Sequence, residues 1–178
     1  MAVLITRRRF FLWLPLLVAA EGLRADLPHS IDDLRAVFLF NFGSYVEWPG
    51  ALSDEAPFRI GICGDPDLAS AVEKVVSGER IQGHAVRVLR VRRADEARSC
   101  QVLHLAAGTE TAAGLEALAG RPVLTCGETE RFEAEGGMIR FVVERNRIRL
   151  RVDLAAVSRS GLRVSSQLLR ICETRGTR

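Results

Sequence analysis

Four cysteines, three histidines and a few close carboxylate pairs are the residues of this chain that could do chemistry, and their spacing argues against most of it. Cys63, Cys100, Cys126 and Cys172 include no C-x-x-C, and no Cys/His cluster has zinc spacing, so neither a thioredoxin-like centre nor a structural metal is expected. His29, His84 and His104 lie far apart in sequence and have no obvious Ser or Cys partner. His104 sits inside an apolar run, where a hydrogen-bonded core histidine is expected rather than a general base. Asp32-Asp33 and Glu133-Glu135 fall at a helix start and near a turn, which accounts for them without catalysis. Gly61-Ile62-Cys63-Gly64 lacks the G-x-G-x-x-G pattern, and the Asp65 behind it would repel a phosphate. There is no Walker A loop and no G-x-S-x-G elbow. The expectation is a non-enzymatic protein with no catalytic, cofactor-binding or metal residues and no cofactor.

The compartment follows from the first residues. Arg7, Arg8 and Arg9 form a cationic region, Phe10 to Val18 an apolar one too short to span a membrane, and Val18-Ala19-Ala20 or Leu23-Arg24-Ala25 offers a cleavage site. Residues 1–25 therefore read as a cleavable signal peptide, which would act as a tether if left uncleaved, and residues 26–178 as one exported domain. Thr6 to Leu12 also resembles a twin-arginine motif, with ordinary Sec export the simpler reading. Cleavage after Ala25 removes Arg7, Arg8, Arg9, Arg24 and Glu21, taking the chain from 25 basic and 22 acidic residues to zero net charge. That balance argues against nucleic acid or anionic lipid as partner. In an oxidising periplasm, an even number of cysteines predicts at least one disulfide among Cys63, Cys100, Cys126 and Cys172.

The elements that must position these residues are legible from periodicity. Ser30 and Asp33 resemble a capping box, and Leu34, Phe38, Phe42 and Tyr45 recur at helical spacing up to Trp48-Pro49. Phe38, Phe40 and Phe42 also alternate as in a strand, but the length favours a helix. Segment 36–42 is apolar almost all round, so it either lies under a neighbouring helix or meets a second surface. Phe58–Cys63, Ala85–Val91, Gln101–Ala106 and Val123–Cys126 read as strands. Helices follow from Asp65-Pro66 to Gly78 and from Thr109 to Ala119. The fold class is α/β, a largely parallel sheet flanked by helices in a single domain. Met138–Val143 and Ile148–Val152 add an antiparallel hairpin, on which Arg147, Arg149 and Arg151 read as a solvated face. A closing helix carrying Leu168, Leu169 and Cys172 is expected.

Several blocks together carry a resemblance. Leu34-Arg35-Ala36-Val37-Phe38-Leu39-Phe40-Asn41-Phe42 closing on Val46-Glu47-Trp48-Pro49, then Phe58 to Asp65, Gln82 to Val86, Gly136 to Phe141, Ile148-Arg149-Leu150, Asp153 to Ala156 and Ser158 to Leu169 resemble the YfiR-like periplasmic domain over nearly all of the mature chain. The resemblance implies a mixed α/β periplasmic regulator that binds the periplasmic region of an inner-membrane diguanylate cyclase and holds it inactive, lowering cyclic-di-GMP signalling and biofilm formation. It also implies release through envelope or redox stress and an outer-membrane lipoprotein, and it is compatible with a homodimer. Phe38, Phe40, Phe42, Tyr45 and Trp48 are the partner-binding candidates. The hairpin lacks the close cysteine pair that can staple such domains. Cys63 and Cys100 are the more family-like pair, yet parallel neighbouring strands would hold them beyond the roughly 7 Å limit for a bridge, so the pairing stays open. The alternative is a periplasmic small-molecule receptor, with its ligand near Gly64-Asp65 and Gly127-Glu128.

Overall fold

The computed structural model describes residues 30–174 except positions 51, 54 and 146, so the expected signal peptide and His29 lie outside the described residues. Helix α1 (Ile31–Tyr45) opens with a capping box: the Ser30 hydroxyl accepts from the Asp33 amide at 3.0 Å, and the Asp33 carboxylate accepts from the Ser30 amide at 3.1 Å. These two bonds satisfy donors that a helix start leaves free. Strands β1 (Val46–Glu47) and β2 (Phe58–Cys63) follow. Helix α2 (Pro66–Val75) has the expected start, with Pro66 in the first turn and the Asp65 carboxylate accepting from the Leu68 amide at 2.9 Å. Strands β3 (Arg80–Ile81) and β4 (His84–Val91) form a hairpin across Gln82 and Gly83, both at positive φ as a two-residue turn requires.

A 3-10 turn, Ala94–Ala97, leads into β5 (Val102–Leu105), α3 (Thr111–Ala117), β6 (Leu124–Gly127) and α4 (Glu130–Ala134). The chain closes through β7 (Ile139–Glu144), β8 (Arg147–Val152), α5 (Leu154–Arg159), β9 (Arg163–Val164), α6 (Ser166–Leu169) and β10 (Cys172–Thr174). The eight-stranded sheet runs β10-β8-β7-β6-β5-β2-β4-β3. The five strands from β7 to β4 are mutually parallel, while β8 pairs antiparallel with β7, as the expected hairpin. Every residue of β5 and β6 is buried, the pattern of strands covered on both faces.

The two faces are unequal. On one, α1 and α2 cover Ile60, Ile62, Val102, Leu124, Cys126, Ile139, Phe141 and Leu150, forming the larger core. On the other, the 3-10 turn, α3 and Phe132 of α4 cover Cys63, Cys100, Leu103 and Leu105 in a smaller cluster.

Two expectations are corrected by these contacts. The first helix stops at Tyr45, before Trp48-Pro49, because Val46 and Glu47 pair with Val164 and Arg163 of β9. The closing helix is one short turn, and Cys172 lies in β10, which adds to the sheet edge in register with Leu150. Cys100 lies just ahead of β5, whose Gln101 amide donates to the Arg59 carbonyl, and packs over the sheet face with its Sγ 3.1 Å from where a Cβ on Gly61 would stand. All four cysteines are free thiols in this structure. Burial pushes the Cys100 and Cys172 thiols up to about 11, raises Cys126 further, and with Glu96 raises Cys63. Among the described residues, no helix is long and apolar enough to cross a membrane.

Gly127 shows how tightly the thinner face is packed. A Cβ there would lie 2.6 Å from Cγ of the buried Phe132 ring. Gly127→Ala is expected to lower unfolding free energy by about 1–3 kcal/mol through overpacking, read as a lower urea midpoint at unchanged slope.

Candidate functional site

The side chains that place α1 on the sheet form one connected network. Arg35, on the first turns of α1, donates from Nη1 to Asp32 at 2.9 Å and from Nη2 to Glu128 at 3.0 Å. Glu128 follows β6 directly, and its other oxygen lies 3.4 Å from Nε2 of the fully buried His104 on β5. The His104 ring sits 6.0 Å from that of Phe141. Phe141 in turn meets Phe38 at 6.2 Å and Phe42 at 6.1 Å. His104 is thus buried in the core as the sequence predicts, but neither ring nitrogen makes a hydrogen bond among the described residues, Nε2 reaching the Glu128 carboxylate only at 3.4 Å. The His104 contact and then the Arg35 guanidinium hold the Glu128 carboxyl below its ordinary value, against the opposing effect of burial.

The candidate contact residues do not form one exposed patch. Phe42 is fully buried, so it is a core residue and cannot touch a partner. Phe38, Phe40, Tyr45 and Trp48 are half-buried and pack on the same core, leaving one flank each in solvent. Trp48 marks the far end of the segment, at the amino ends of the parallel strands. Its indole donates to the Gln101 carbonyl at 3.2 Å and meets Phe58 edge-on at 5.2 Å. It lines a cavity of about 380 Å³ with Leu52, His84 and Cys100. The apolar surround of segment 36–42 is thereby divided between the sheet, α2 and a remaining half-exposed flank.

The other candidate positions separate cleanly. Gly127-Glu128 is closed to a ligand, since Phe132 fills the space over Gly127 and Glu128 is tied to Arg35 and His104. Gly64 packs against Thr109 and Ala106, and a neighbouring cavity at the carboxyl ends of β2, β4 and β5 is lined by Cys63, Arg92, Arg98 and Thr109 but by neither Gly64 nor Asp65. The Arg147, Arg149 and Arg151 face is largely consumed by carboxylates: Arg149 lies 2.9 Å from Glu173 and Arg151 3.5 Å from Glu133. No group of three or more His, Cys, Asp or Glu suited to a metal occurs among the described residues. The sequence carried no signal for the Arg35–Glu128–His104 network, because its members are 93 and 24 residues apart. A charged residue inside an otherwise apolar helix face was the one available hint.

A family model described as YfiR/HmsC-like matches residues 32–173, nearly the whole described domain, and the chain belongs to that family. The family is regulatory and periplasmic rather than catalytic, and is linked in general to diguanylate cyclase control. No match emerges among the curated proteins. Among solved structures, a conserved domain protein from Vibrio cholerae O1 biovar El Tor strain N16961 superposes with a TM-score of 0.51 at 9% identity, covering 82% of this chain and 60% of that one. At that identity the likeness speaks to the fold, a mixed α/β domain with a mostly parallel sheet.

Glu128 carries a pH signature. Its lowered carboxyl pKa means that its stabilisation is present above the ordinary value of 4.5 and is lost as pH falls through the lower folded-state value. Glu128→Gln should cost about 1–3 kcal/mol at neutral pH, because Arg35 and His104 lose their charged partner. In thermal melts across pH, that deficit should shrink towards zero below pH 4.5.

Proposed function

We propose that this chain, as a YfiR/HmsC-like protein, represses an inner-membrane diguanylate cyclase by binding the cyclase's periplasmic region, and so lowers cyclic-di-GMP and biofilm formation. The observation that carries this reading is the family match across residues 32–173. The half-buried flank of α1 supports a contact surface there: Phe38, Phe40, Tyr45 and Trp48 each keep part of a ring in solvent over the length of one helix and its exit. Such partly exposed aromatics suit interface anchors, which enter a partner's pocket without unfolding their own core. An outer-membrane lipoprotein that competes for the same flank would release the cyclase.

We further propose that residues 1–25 are removed on export and that residues 26–178 form the working domain. We also propose at least one disulfide among the four cysteines in the periplasm, with the pairing left open; Cys63 and Cys100 share the smaller core cluster. Cys126 belongs to the larger core on the opposite face, and Cys172 packs against that same core from the sheet edge. Intact mass of protein from the periplasm, taken without reductant, should show cleavage after Ala20 or Ala25 and the loss of at least two hydrogens, with peptide mapping identifying the linked cysteines. A full-length mass, or four titratable thiols, refutes the corresponding part.

Deleting the gene should raise cellular cyclic-di-GMP. Phe40→Ala or Trp48→Ala should do the same if binding is lost, with truncation of an interface anchor costing about 2 kcal/mol or more of affinity. Each variant needs an unchanged melting temperature, because truncating a core aromatic costs about 3–5 kcal/mol of stability. Unaltered cyclic-di-GMP after deletion, together with no membrane protein captured by the wild-type domain, overturns the repressor reading.

A further inference from the structure

We propose that the cavity at the carboxyl ends of β2, β4 and β5 is a binding site for a short aliphatic monocarboxylate, separate from the α1 flank. The argument starts from strand order. Along the parallel part of the sheet the order is β7-β6-β5-β2-β4, with β2 first in the chain and flanked by β4 and β5. The connection from β2 to β4 crosses one face as α2, and the connection from β4 to β5 crosses the other as the 3-10 turn. Where successive connections leave for opposite faces, no crossover fills the space above the strand ends, and ligands of open α/β sheets bind in that crevice.

The crevice is a real space here. It encloses about 540 Å³, within the usual range for small-molecule sites. Gly64, at φ +79, turns the chain away at the end of β2, and a Cβ there would stand 2.6 Å from Thr109 Cγ2, so the glycine allows the two loops to approach. Across the opening, Gly108 has nothing within 4 Å of where its Cβ would be. The floor is apolar and shallow, made by Leu105 with Ala94, Ala113 and Ala117. No aromatic side chain lines it, so a purine or indole would have nothing to stack on.

Free guanidinium groups select the ligand. Arg92, Arg93 and Arg98 border the cavity with Asp95 and Glu110, and Glu96, which accepts from the Arg92 amide at 3.2 Å, brings the local formal charge to balance. Arg93 is taken by Asp95 at 3.1 Å, whereas the guanidinium groups of Arg92 and Arg98 have no ion-pair partner among the described residues. The α2 N-terminus is already capped by Asp65, so the arginines, not the helix, must hold an anion. One carboxylate can take paired N–H donors from either of these guanidinium groups, while a short alkyl body covers Leu105 and the alanines.

The test uses the mature chain, isotope-labelled, with butyrate and inorganic phosphate as probes in NMR titrations. Saturable shifts of the Gly108 and Thr109 amides with butyrate are expected. Binding should weaken at least about tenfold, or about 1.4 kcal/mol, in an Arg92→Gln/Arg98→Gln chain, and should be lost in Ala113→Leu, which fills the floor from an exposed position. Arg163→Gln, an exposed change on β9, should bind as the wild type does. No saturable shift with butyrate, shifts confined to other residues, equal binding by Ala113→Leu, or saturation by phosphate alone would each overturn the proposal. Cyclic-di-GMP does not enter the readout, so failure here is distinct from failure of the repressor reading.

Discussion

Arg35 holds α1 to the sheet through a guanidinium that is only 13% exposed and is shared between Asp32 and Glu128. A helix that is apolar on nearly all sides has no single stripe to set its rotation over a sheet. Burial alone would accept several orientations of Phe38, Phe40 and Phe42. A partly buried ion pair accepts one, because losing a partner leaves a charge without compensation at a cost of several kcal/mol. From that anchor the rest follows down the helix. Phe38 and Phe42 meet Phe141, Phe141 meets His104, and Tyr45 hands over to a strand that pairs with β9.

The two faces of the sheet differ in kind. One face is covered by two well-formed helices and carries the larger core. The other is covered by a 3-10 turn and two helices of seven and five residues, so side-chain fit must replace helix length. Glycines at 114, 127 and 137 let Ala94 and Phe132 approach the backbone more closely than a Cβ would permit. Short covering elements leave room at the strand ends, which is where the cavity opens. The proposed contact flank lies on the thick face and the proposed crevice on the thin one, so the two share no residues.

Local chemistry that the chain settles by itself was visible before any fold was known. Ser30 with Asp33, and Asp65 with Pro66, mark helix starts because capping is a contact between near neighbours. Four of the five parallel strands and the hairpin were legible because burial on both faces, or on one, writes continuous or alternating apolar runs. The short pieces were not: β3, α4, α5 and β10 have too few residues to show a period. Cys172 fell into the wrong element for that reason, since an edge strand of three residues exists only by pairing with β8.

The sequence by itself determined the α/β class, the main strands and helix starts, and the family, since each rests on neighbouring residues or on ordered blocks. Only the tertiary structure decided which aromatic is core and which keeps a flank in solvent, because Phe38 and Phe42 share the same helical spacing and differ only in environment. It also decided that Cys100 lies beside Gly61 and that Arg35 finds Glu128 and, through it, His104. Those pairings join residues tens of positions apart, and no periodicity reports a contact that exists only after the sheet has been assembled.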